Sequence, residues 1–405
     1  MMDKKNCNIN CFIVGAKCLG HYGGYESFLK KLLEYHKNNN IKYYVACKAN
    51  GDGMMNPDTL DGAVRKNDCL FTYCNANCYL IHVPEWMKSA QAIYYDIAAL
   101  KLFCNIIEKE KIKQPIVYIL ACRIGPFIRK YVNKIHKLGG KVYVNPDGHE
   151  WKRAKWSAPI RKYWKESERL MIKNSDLVVC DSINIEEYIN KEYKKYNPKT
   201  TYIAYGAETN PSVMKDDNEE YSAWLRLHNI EEPFFVMIGR CVPENNYETV
   251  IREFMRSNTK KDLVIISTDN PAMLRTLDEK LGYSNDKRIK FVGTVYNQEL
   301  LCKIREKAFA YIHGHSVGGT NPSLLEALGS TKLNLLYDIG FNREVAESSA
   351  LYWTLESGNL SELINRTESM TTEEITKLGD MAKKRINDAY SWKFIAERYN
   401  SIFRK

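Results

Sequence analysis

A glycine-rich segment that leads into a helix is the part of the sequence best suited to chemistry. It covers residues 318–329, follows the apolar run 308–313 and contains a helix start at Asn321. Such a turn points free backbone N–H groups and the positive end of a helix dipole at one spot, which suits a phosphate. Glu326, about one turn inside the helix, can accept hydrogen bonds from a ribose. The alternative is a strand–loop–helix corner whose glycines only allow tight packing.

A second candidate is Arg240, which follows the strand pattern 234–239 and precedes the helical run 247–255. An arginine at the carboxyl end of a parallel strand lies where open α/β sheets bind ligands. Its fork of donors fits a phosphate. The alternative is a surface arginine that caps a helix end.

Composition indicates an ordinary soluble protein of two domains. The chain has 405 residues, of which 44% are hydrophobic and 27% charged. No stretch approaches the roughly 18–20 apolar residues of a membrane span, and no signal-peptide core follows the start, so we expect a cytoplasmic protein. The twelve cysteines lack zinc-site spacing and are interpreted as reduced thiols, mostly in the core. We expect no metal and no cofactor.

The net charge of +10 is concentrated in a basic, aromatic block at 151–165. Such a mixture suits a nucleic acid or an anionic membrane surface. No nucleic-acid module is recognisable, so no nucleic acid is expected and the membrane is favoured over a solvated helix face. The predicted membrane residues are Trp151, Lys152, Arg153, Lys155, Trp156, Arg161, Trp164 and Lys165.

Strand and helix patterns alternate along the chain and predict an α/β protein with two Rossmann-like, doubly wound domains that bind ligands in a cleft between them. The pattern breaks in polar residues near 207–215. The predicted domains are 1–206, 207–388 and a closing helix at 389–405 that packs back on the first. The predicted strands are 11–15, 43–47, 78–83, 116–120, 141–144, 177–180, 201–204, 234–239, 263–266, 289–292, 311–313 and 333–337.

Three segments resemble a known enzyme family. Residues 239–246, 318–328 and 390–399 are similar to the carboxyl domain of retaining glycosyltransferases of family 4. This resemblance implies the GT-B fold, with a nucleotide-sugar-binding second domain and an acceptor-binding first domain.

Three further segments, 23–28, 123–127 and 145–156, resemble bacterial rhamnosyltransferases of capsule and rhamnan assembly. The resemblance implies transfer of L-rhamnose from dTDP-L-rhamnose, in β-1,4 linkage, to a glucose or N-acetylglucosamine on undecaprenyl diphosphate. It places the enzyme at the inner face of the plasma membrane.

Two positions depart from the general family 4 pattern. Glu326 matches the second glutamate of a Glu-x7-Glu motif, but Gly318 stands at the first. Five residues after the diphosphate-binding arginine, where the family usually has a lysine, this chain has Asn245. Both departures also occur in the rhamnosyltransferase subgroup. They therefore favour that subgroup within family 4.

The reaction that the resemblance implies assigns roles to these residues. Arg240 and the N–H groups near 319–323 stabilise the leaving diphosphate without a metal. Asp147 binds hydroxyls or takes the acceptor proton, and His149 stabilises the oxocarbenium-like transition state, unless they are a turn aspartate and a packing histidine. Other residues predicted to contact the nucleotide-sugar donor are Asn245, Gly293, Thr294, Gly318, Gly319, Thr320, Asn321 and Glu326. The predicted acceptor or diphosphate loop comprises Gly23, Gly24, Tyr25, Glu26 and Arg123.

Three alternatives remain open at this stage. A family 4 transferase can use a UDP-sugar. A sugar-nucleotide 2-epimerase shares the two-domain fold but needs paired acid/base carboxylates. A non-catalytic partner that binds a sugar nucleotide or lipid needs no catalytic residue at all.

Overall fold

The computed structural model describes residues 9–20, 23–153 and 156–404. The chain divides into two compact units: residues up to Tyr205 together with those from Trp392 onward form unit 1, and Gly206–Ser391 forms unit 2. In unit 1 the elements are β1 Ile9–Val14, α1 Gly24–Tyr35, β2 Ile41–Lys48, β3 Val64–Asn67, β4 Leu70–Tyr73, β5 Ala76–Ile81, α2 Gln91–Lys109, β6 Ile116–Leu120, α3 Gly125–Lys137, β7 Lys141–Asn145, α4 Ala158–Asn174, β8 Leu177–Cys180, α5 Ile183–Glu192, β9 Thr200–Tyr202 and α14 Trp392–Phe403.

The sheet of unit 1 has the order β3-β4-β5-β2-β1-β6-β7-β8-β9. Strands β5 to β9 in this order are parallel, and β3 and β4 pair antiparallel at one edge. Strand β6 is buried at every position, as expected for a parallel strand covered on both faces. The sequence did not predict the β3–β4 hairpin, because all four side chains of β3 are exposed and carry no apolar alternation.

Helices cover both faces of this sheet. Side chains of α2, α3, α4 and α5 form one core with Phe12 and Tyr44, whose rings stack 4.2 Å apart. Helix α14 packs with α1 through the rings of Phe28 and Tyr399, 5.1 Å apart. The hydroxyl of Tyr399 also lies 3.2 Å from that of Tyr118 on β6. The closing helix thus contributes its buried aromatic face to unit 1.

Unit 2 has a six-stranded parallel sheet of order β12-β11-β10-β13-β14-β15, with an apolar core on each face. This is the Rossmann order, in which the chain turns back at the boundary between β10 and β13. The short strand β15 was not predicted. The elements are α6 Glu219–His228, β10 Phe235–Ile238, α7 Tyr247–Arg256, β11 Leu263–Ile266, α8 Pro271–Leu281, β12 Ile289–Phe291, α9 Gln298–Lys307, β13 Ala310–His313, α10 Pro322–Ser330, β14 Asn334–Tyr337, α11 Gly340–Ala346, β15 Leu351–Trp353, α12 Asn359–Thr367 and α13 Thr372–Ala389.

The described residues contain neither a membrane-spanning helix nor a metal-binding cluster of side chains. None of the helices in these ranges is long and apolar enough to cross a bilayer. In the same ranges, no three His, Cys, Asp or Glu side chains are grouped so that they can hold a metal ion.

Candidate active site

In unit 2, the loops after β10 and β13 lie side by side where the strand order reverses. Open α/β sheets bind ligands at this position, outside the carboxyl ends of the strands. Arg240 follows β10, and the glycine-rich segment follows β13. The fold therefore brings together the two strongest candidates from the sequence.

Arg240 presents an uncommitted cation at this edge. The residue is exposed, and its guanidinium makes no hydrogen bond or ion pair with any part of the chain that the structure describes. Its backbone is fixed instead, because the carbonyl oxygen accepts hydrogen bonds from the N–H of Val242 at 2.8 Å and from Asn245. An anchored backbone with an open guanidinium suits an incoming phosphate.

Asn245, predicted to contact the nucleotide-sugar donor, is buried and makes its contacts with the protein. Its Nδ2 donates to the carbonyl oxygen of Arg240 at 2.7 Å, and its Oδ1 accepts from Nδ1 of His315 at 2.8 Å. Both ends of the amide are thus used inside unit 2. The residue positions the Arg240 loop, and the sequence had no signal for its partner His315.

Further backbone contacts tie the loop after β10 to the loop after β13. The N–H of Ser316 donates to the carbonyl oxygen of Glu244 at 2.9 Å, and Nδ2 of Asn246 donates to that of Gly314 at 2.7 Å. A Cβ at Gly314 would lie 2.2 Å from the carbonyl oxygen of Asn245. Only glycine permits this approach, so the two loops form one fixed platform.

The glycine-rich segment after β13 leads into α10 as predicted. Gly318 has a φ of +123°, a backbone conformation that other residues rarely adopt. Gly319 and Thr320 are buried, and Asn321 is the N-cap of α10. The Asn321 side chain accepts from the N–H of Ser323 at 2.9 Å. That N–H is therefore not free for a phosphate. The Asn321 side chain serves as a helix cap and not as a contact to the nucleotide-sugar donor.

Glu326 lies on α10 with an ion-pair partner that the sequence did not reveal. Its Oε2 accepts from the guanidinium of Arg305 on α9. The Arg305 side chain is only 5% exposed, whereas that of Glu326 is 40% exposed. The carboxylate is therefore held by a buried cation and still reaches solvent, which suits a fixed acceptor for ligand hydroxyls.

Gly293 and Thr294 lie in the loop after β12, on the same edge of the sheet. Gly293 has a φ of +72°, and its carbonyl oxygen accepts from the N–H of Ser267 at 3.1 Å. The hydroxyl of Thr294 donates to the carbonyl oxygen of Ser267 at 3.1 Å. The loop after β11 joins the Arg240 loop through Asn270, whose Nδ2 donates to the carbonyl oxygen of Cys241 at 2.9 Å.

A buried histidine, missed by the sequence analysis, ends β13. Nε2 of His313 has no hydrogen-bond partner within the described ranges, and Nδ1 lies 3.2 Å from the hydroxyl of Tyr311. Burial, and then the neighbouring His315, hold the pKa of His313 well below its usual range. His313 is therefore neutral beneath the platform at physiological pH.

In unit 1, the reversal of strand order falls between β1 and β6, and Arg123 lies there. Its guanidinium donates to the carbonyl oxygen of Gly15 at 2.9 Å and lies 3.3 Å from a carboxylate oxygen of the fully buried Asp96. Burial raises the pKa of Asp96 to about 6, although Arg123 opposes this. Arg123 was predicted as an acceptor or diphosphate contact, but these partners give it a role in fixing the turn after β1.

The turn from β1 into α1 holds the other predicted loop residues. Gly23 is the N-cap of α1, and Gly24 is its first residue. Oε1 of Glu26 accepts from the N–H of Lys17 at 3.1 Å, so this carboxylate closes the turn. Tyr25 is buried, and its hydroxyl donates to Oδ1 of Asn145 at 3.1 Å.

Asp147 follows β7 and is held by the same asparagine. Its N–H donates to Oδ1 of Asn145 at 2.9 Å, in a tight turn where Asp147 has a φ of +55°. Burial raises the pKa of Asp147, and the nearby guanidiniums of Arg153 and Arg123 partly oppose the rise. A carboxylate with a raised pKa is a stronger proton acceptor than an ordinary aspartate. Asn145, which sets this geometry, lies in the segment 145–156, but nothing in the sequence predicted its role.

His149, two residues further on, lies against an aromatic side chain. It also has a positive φ, of +59°, and its ring centre is 4.1 Å from that of Tyr188 on α5. Burial, followed by the charges of Lys152 and Lys165, lowers its pKa to about 4. A neutral imidazole does not repel the positive charge of an oxocarbenium-like transition state, so this environment is compatible with the predicted role.

Lys165 and Trp151, predicted as membrane contacts, are half-buried and contact each other and neighbouring side chains of unit 1. The ammonium of Lys165 donates to the hydroxyl of Tyr188 at 2.6 Å and lies 2.9 Å from Glu192. It is 4.6 Å from the centre of the Trp151 ring. These contacts hold the Lys165 ammonium within unit 1. They also fix Tyr188, against which the His149 ring packs.

The other residues of the basic, aromatic block differ in their exposure and in their partners. Arg153 pairs with Glu150 at 2.5 Å, and Nε1 of Trp156 donates to the same carboxylate at 3.0 Å. The ring of Trp164 lies 5.8 Å from that of Trp156. Both tryptophans and Arg153 are half-buried, whereas Lys152 and Arg161 are exposed, and Lys155 lies outside the described residues.

Comparison with known proteins adds two findings on sequence. Residues 8–208, which cover most of unit 1, match a family model described as a domain of unknown function, DUF1972. No curated protein sequence matches the chain.

Solved structures resemble the chain over almost its whole length. Sucrose-phosphate synthase from Thermosynechococcus elongatus matches with a TM-score of 0.74 and 14% identity, covering 98% of this chain and 98% of that chain. HepE of Anabaena in complex with UDP matches with a TM-score of 0.68 and 13% identity, over 98% and 99%. A glycosyltransferase from Rickettsia africae ESF-5 matches with a TM-score of 0.70 and 13% identity, over 98% and 97%.

The chain has the GT-B fold. This confirms the predicted fold class of two Rossmann-like α/β units. At these identities, the likeness shows the fold alone.

Proposed function

We propose that this protein is a retaining, metal-independent glycosyltransferase. In this proposal it moves L-rhamnose from dTDP-L-rhamnose, in β-1,4 linkage, to a glucose or N-acetylglucosamine on undecaprenyl diphosphate, in cell-surface polysaccharide synthesis. The observation that carries the proposal is the exposed guanidinium of Arg240 at the strand-order reversal of unit 2, on the edge of the sheet where α10 also starts. The names of the solved structures with the same fold support it, since they include a glycosyltransferase and a complex with UDP.

The chemistry assigns one task to each site residue. The bond between sugar C1 and the diphosphate oxygen breaks, and its electron pair leaves with dTDP. Arg240 stabilises the charge that develops on that oxygen. The acceptor hydroxyl oxygen bonds to C1, and Asp147 takes its proton. Glu326 binds the ribose hydroxyls of the nucleotide.

The lipid-linked acceptor implies a place of action. We propose that the enzyme works in the cytoplasm at the inner face of the plasma membrane. Exposed Lys152 and Arg161 support this, because basic side chains are attracted to anionic lipid.

A second candidate is transfer from a UDP-sugar, and the UDP complex of HepE favours it. One experiment separates the two candidates: the protein is incubated with dTDP-L-rhamnose, UDP-glucose or UDP-N-acetylglucosamine, with and without undecaprenyl-diphosphate-linked glucose or N-acetylglucosamine. We expect free dTDP to appear only when the lipid acceptor is present, together with a product heavier by one deoxyhexose. Release of UDP would favour the second candidate, and a changed sugar nucleotide without acceptor would indicate an epimerase.

A further inference from the structure

Helix α3 of unit 1 begins with an exposed apolar and basic turn. Pro126 stands in its first turn, and the next residue, Phe127, is 47% exposed. Arg129 and Lys130 follow on the solvent side. This turn therefore presents apolar surface beside two cations.

Helix α4 begins in the same way. Pro159 stands in its first turn, Ile160 is 38% exposed, and Arg161 and Lys162 are exposed directly after it. Both helices therefore present a large apolar side chain and two cations within their first turns.

The two helices are packed against each other. The N–H of Gly125 at the start of α3 donates to Oγ of Ser167 on α4 at 2.7 Å, and the hydroxyl of Tyr163 donates to the carbonyl oxygen of Arg123 at 2.8 Å. A Cβ at Gly125 would lie 2.3 Å from the carbonyl oxygen of Ser167. The start of α3 therefore lies beside the second and third turns of α4, next to the exposed first turn of that helix.

The charge of this surface has one sign. Helix α3 contains no acidic residue, and neither does α4 from Ala158 to Lys165. In the described part of the chain, none of the four exposed cations of these turns has a carboxylate partner. A surface that combines unpaired cations with exposed apolar side chains complements an anionic lipid bilayer, where apolar groups enter between charged headgroups.

We propose that these two helix starts are the surface by which the protein docks on an anionic lipid bilayer. We call them the helix-start patch: Phe127, Arg129, Lys130, Ile160, Arg161 and Lys162. It shares Arg161 with the predicted membrane residues but leaves out Trp151, Arg153 and Lys165, which make contacts within unit 1. The helices start after β6 and β7, on the edge that holds Arg123 and Asp147. The proposal that docking brings the acceptor to this edge rests on the proposed function, whereas docking itself does not.

Two triple variants of the full chain test the patch. Phe127, Arg129 and Lys130 are replaced by serine in one, and Ile160, Arg161 and Lys162 in the other. Their co-sedimentation with vesicles of phosphatidylcholine and phosphatidylglycerol is measured at low and high salt. We expect binding to fall by about tenfold or more for each variant, because two cations and an apolar anchor are lost. Wild-type binding should weaken with salt and be absent from pure phosphatidylcholine.

The matched control lies on α13 of unit 2, where Met381 is 37% exposed and is followed by exposed Lys383 and Lys384. Serine at these three positions should leave vesicle binding unchanged, and thermal melting should show that every variant folds. Unchanged binding of both patch variants, or an equal loss in the control, would overturn the proposal. So would loss of self-association without loss of vesicle binding, which would assign the patch to a protein partner.

A short, water-soluble acceptor distinguishes this inference from the proposed function. Patch variants should keep their turnover on the soluble acceptor and lose it on the undecaprenyl substrate in vesicles. An enzyme that transfers no sugar from any donor, but still binds vesicles through the patch, would overturn the proposed function and leave docking in place.

Discussion

The side-chain amide of Asn245 donates a 2.7 Å hydrogen bond to the carbonyl oxygen of Arg240 and accepts one of 2.8 Å from His315. One buried amide therefore fixes the backbone that carries the exposed Arg240 guanidinium relative to the loop after β13. A lysine cannot reproduce this contact, since an ammonium has no acceptor. The asparagine at this position is thus suited to a different task, which is to hold the arginine in place.

Replacing Asn245 with aspartate should weaken nucleotide binding. The carboxylate has no N–H for the Arg240 carbonyl, and it places a negative charge against that oxygen, although it can still accept from His315. We expect the affinity for dTDP, measured by calorimetry, to fall about tenfold, since the lost bond is worth about 1–3 kcal/mol. Asn258→Asp, at an exposed turn, is the control. Equal affinity in both variants would show that Asn245 does not position Arg240.

Replacing Glu326 should cost both turnover and stability. Glu326→Ala leaves the buried guanidinium of Arg305 without its carboxylate, which costs about 1–3 kcal/mol. Glu326→Gln keeps an acceptor for Arg305 and loses only the charge, so it should melt closer to the wild type. We expect both variants to lose turnover at least about a hundredfold at a temperature where they are folded. Near wild-type turnover of folded Glu326→Gln would remove the carboxylate from the site.

The stability of unit 1 should depend on pH through His149. Burial lowers the pKa of His149 from 6.5 to about 4, so between these values the unfolded chain binds a proton that the folded chain does not. Stability is therefore lost as the pH falls through this window. We expect His149→Gln to lose less stability than the wild type between about pH 7 and pH 5 in urea unfolding.

Asp96 acts in the opposite direction in the same window. Burial raises its pKa from 3.8 to about 6, so its contribution to stability falls as the pH rises. Because Asp96 is present in both proteins, the difference between the free energies of unfolding of wild type and His149→Gln reports the contribution of His149 alone. Parallel stability curves for the two proteins would contradict the low pKa of His149.

Transfer should survive chelation. In the proposed function, the Arg240 guanidinium and the α10 helix start stabilise the leaving charge, and neither depends on a metal ion. We expect EDTA to leave the rate of acceptor-dependent dTDP release within about twofold of the untreated rate, with magnesium added back as the control. Loss of release with EDTA and its recovery with magnesium or manganese would refute this assignment.

Most strands of the two sheets could be predicted from the sequence, including the edge strands β9 and β12, whereas β3, β4 and β15 could not. Strands such as 116–120 and 263–266 are buried apolar runs, and the structure has them at the same residues. Strand β3 is exposed at all four positions and has no apolar alternation, so it has no recognisable pattern. Local patterns record burial, which β3 lacks.

The candidate site was predictable only where it follows strand ends. Arg240, Glu326 and Asp147 were predicted as site residues because each follows a strand or lies in the first turns of the helix after one. Partners distant in sequence, such as Arg305 for Glu326, depend on packing between elements and left no local signal. Lys165 shows the converse, because its sequence neighbours indicate a surface while its contacts with Tyr188 and Glu192 lie within unit 1.

The most direct test of the account is acceptor-dependent release of dTDP by Arg240→Ala. The control is Arg366→Ala, which removes an exposed arginine from the last turn of α12. Loss of one preorganised donor to a developing oxyanion costs about 2.7–4 kcal/mol, so we predict at least about a hundredfold slower release for Arg240→Ala. Arg366→Ala should match the wild type, and both variants should melt like it. Wild-type release by a folded Arg240→Ala enzyme would contradict the central claim that this guanidinium stabilises the leaving diphosphate.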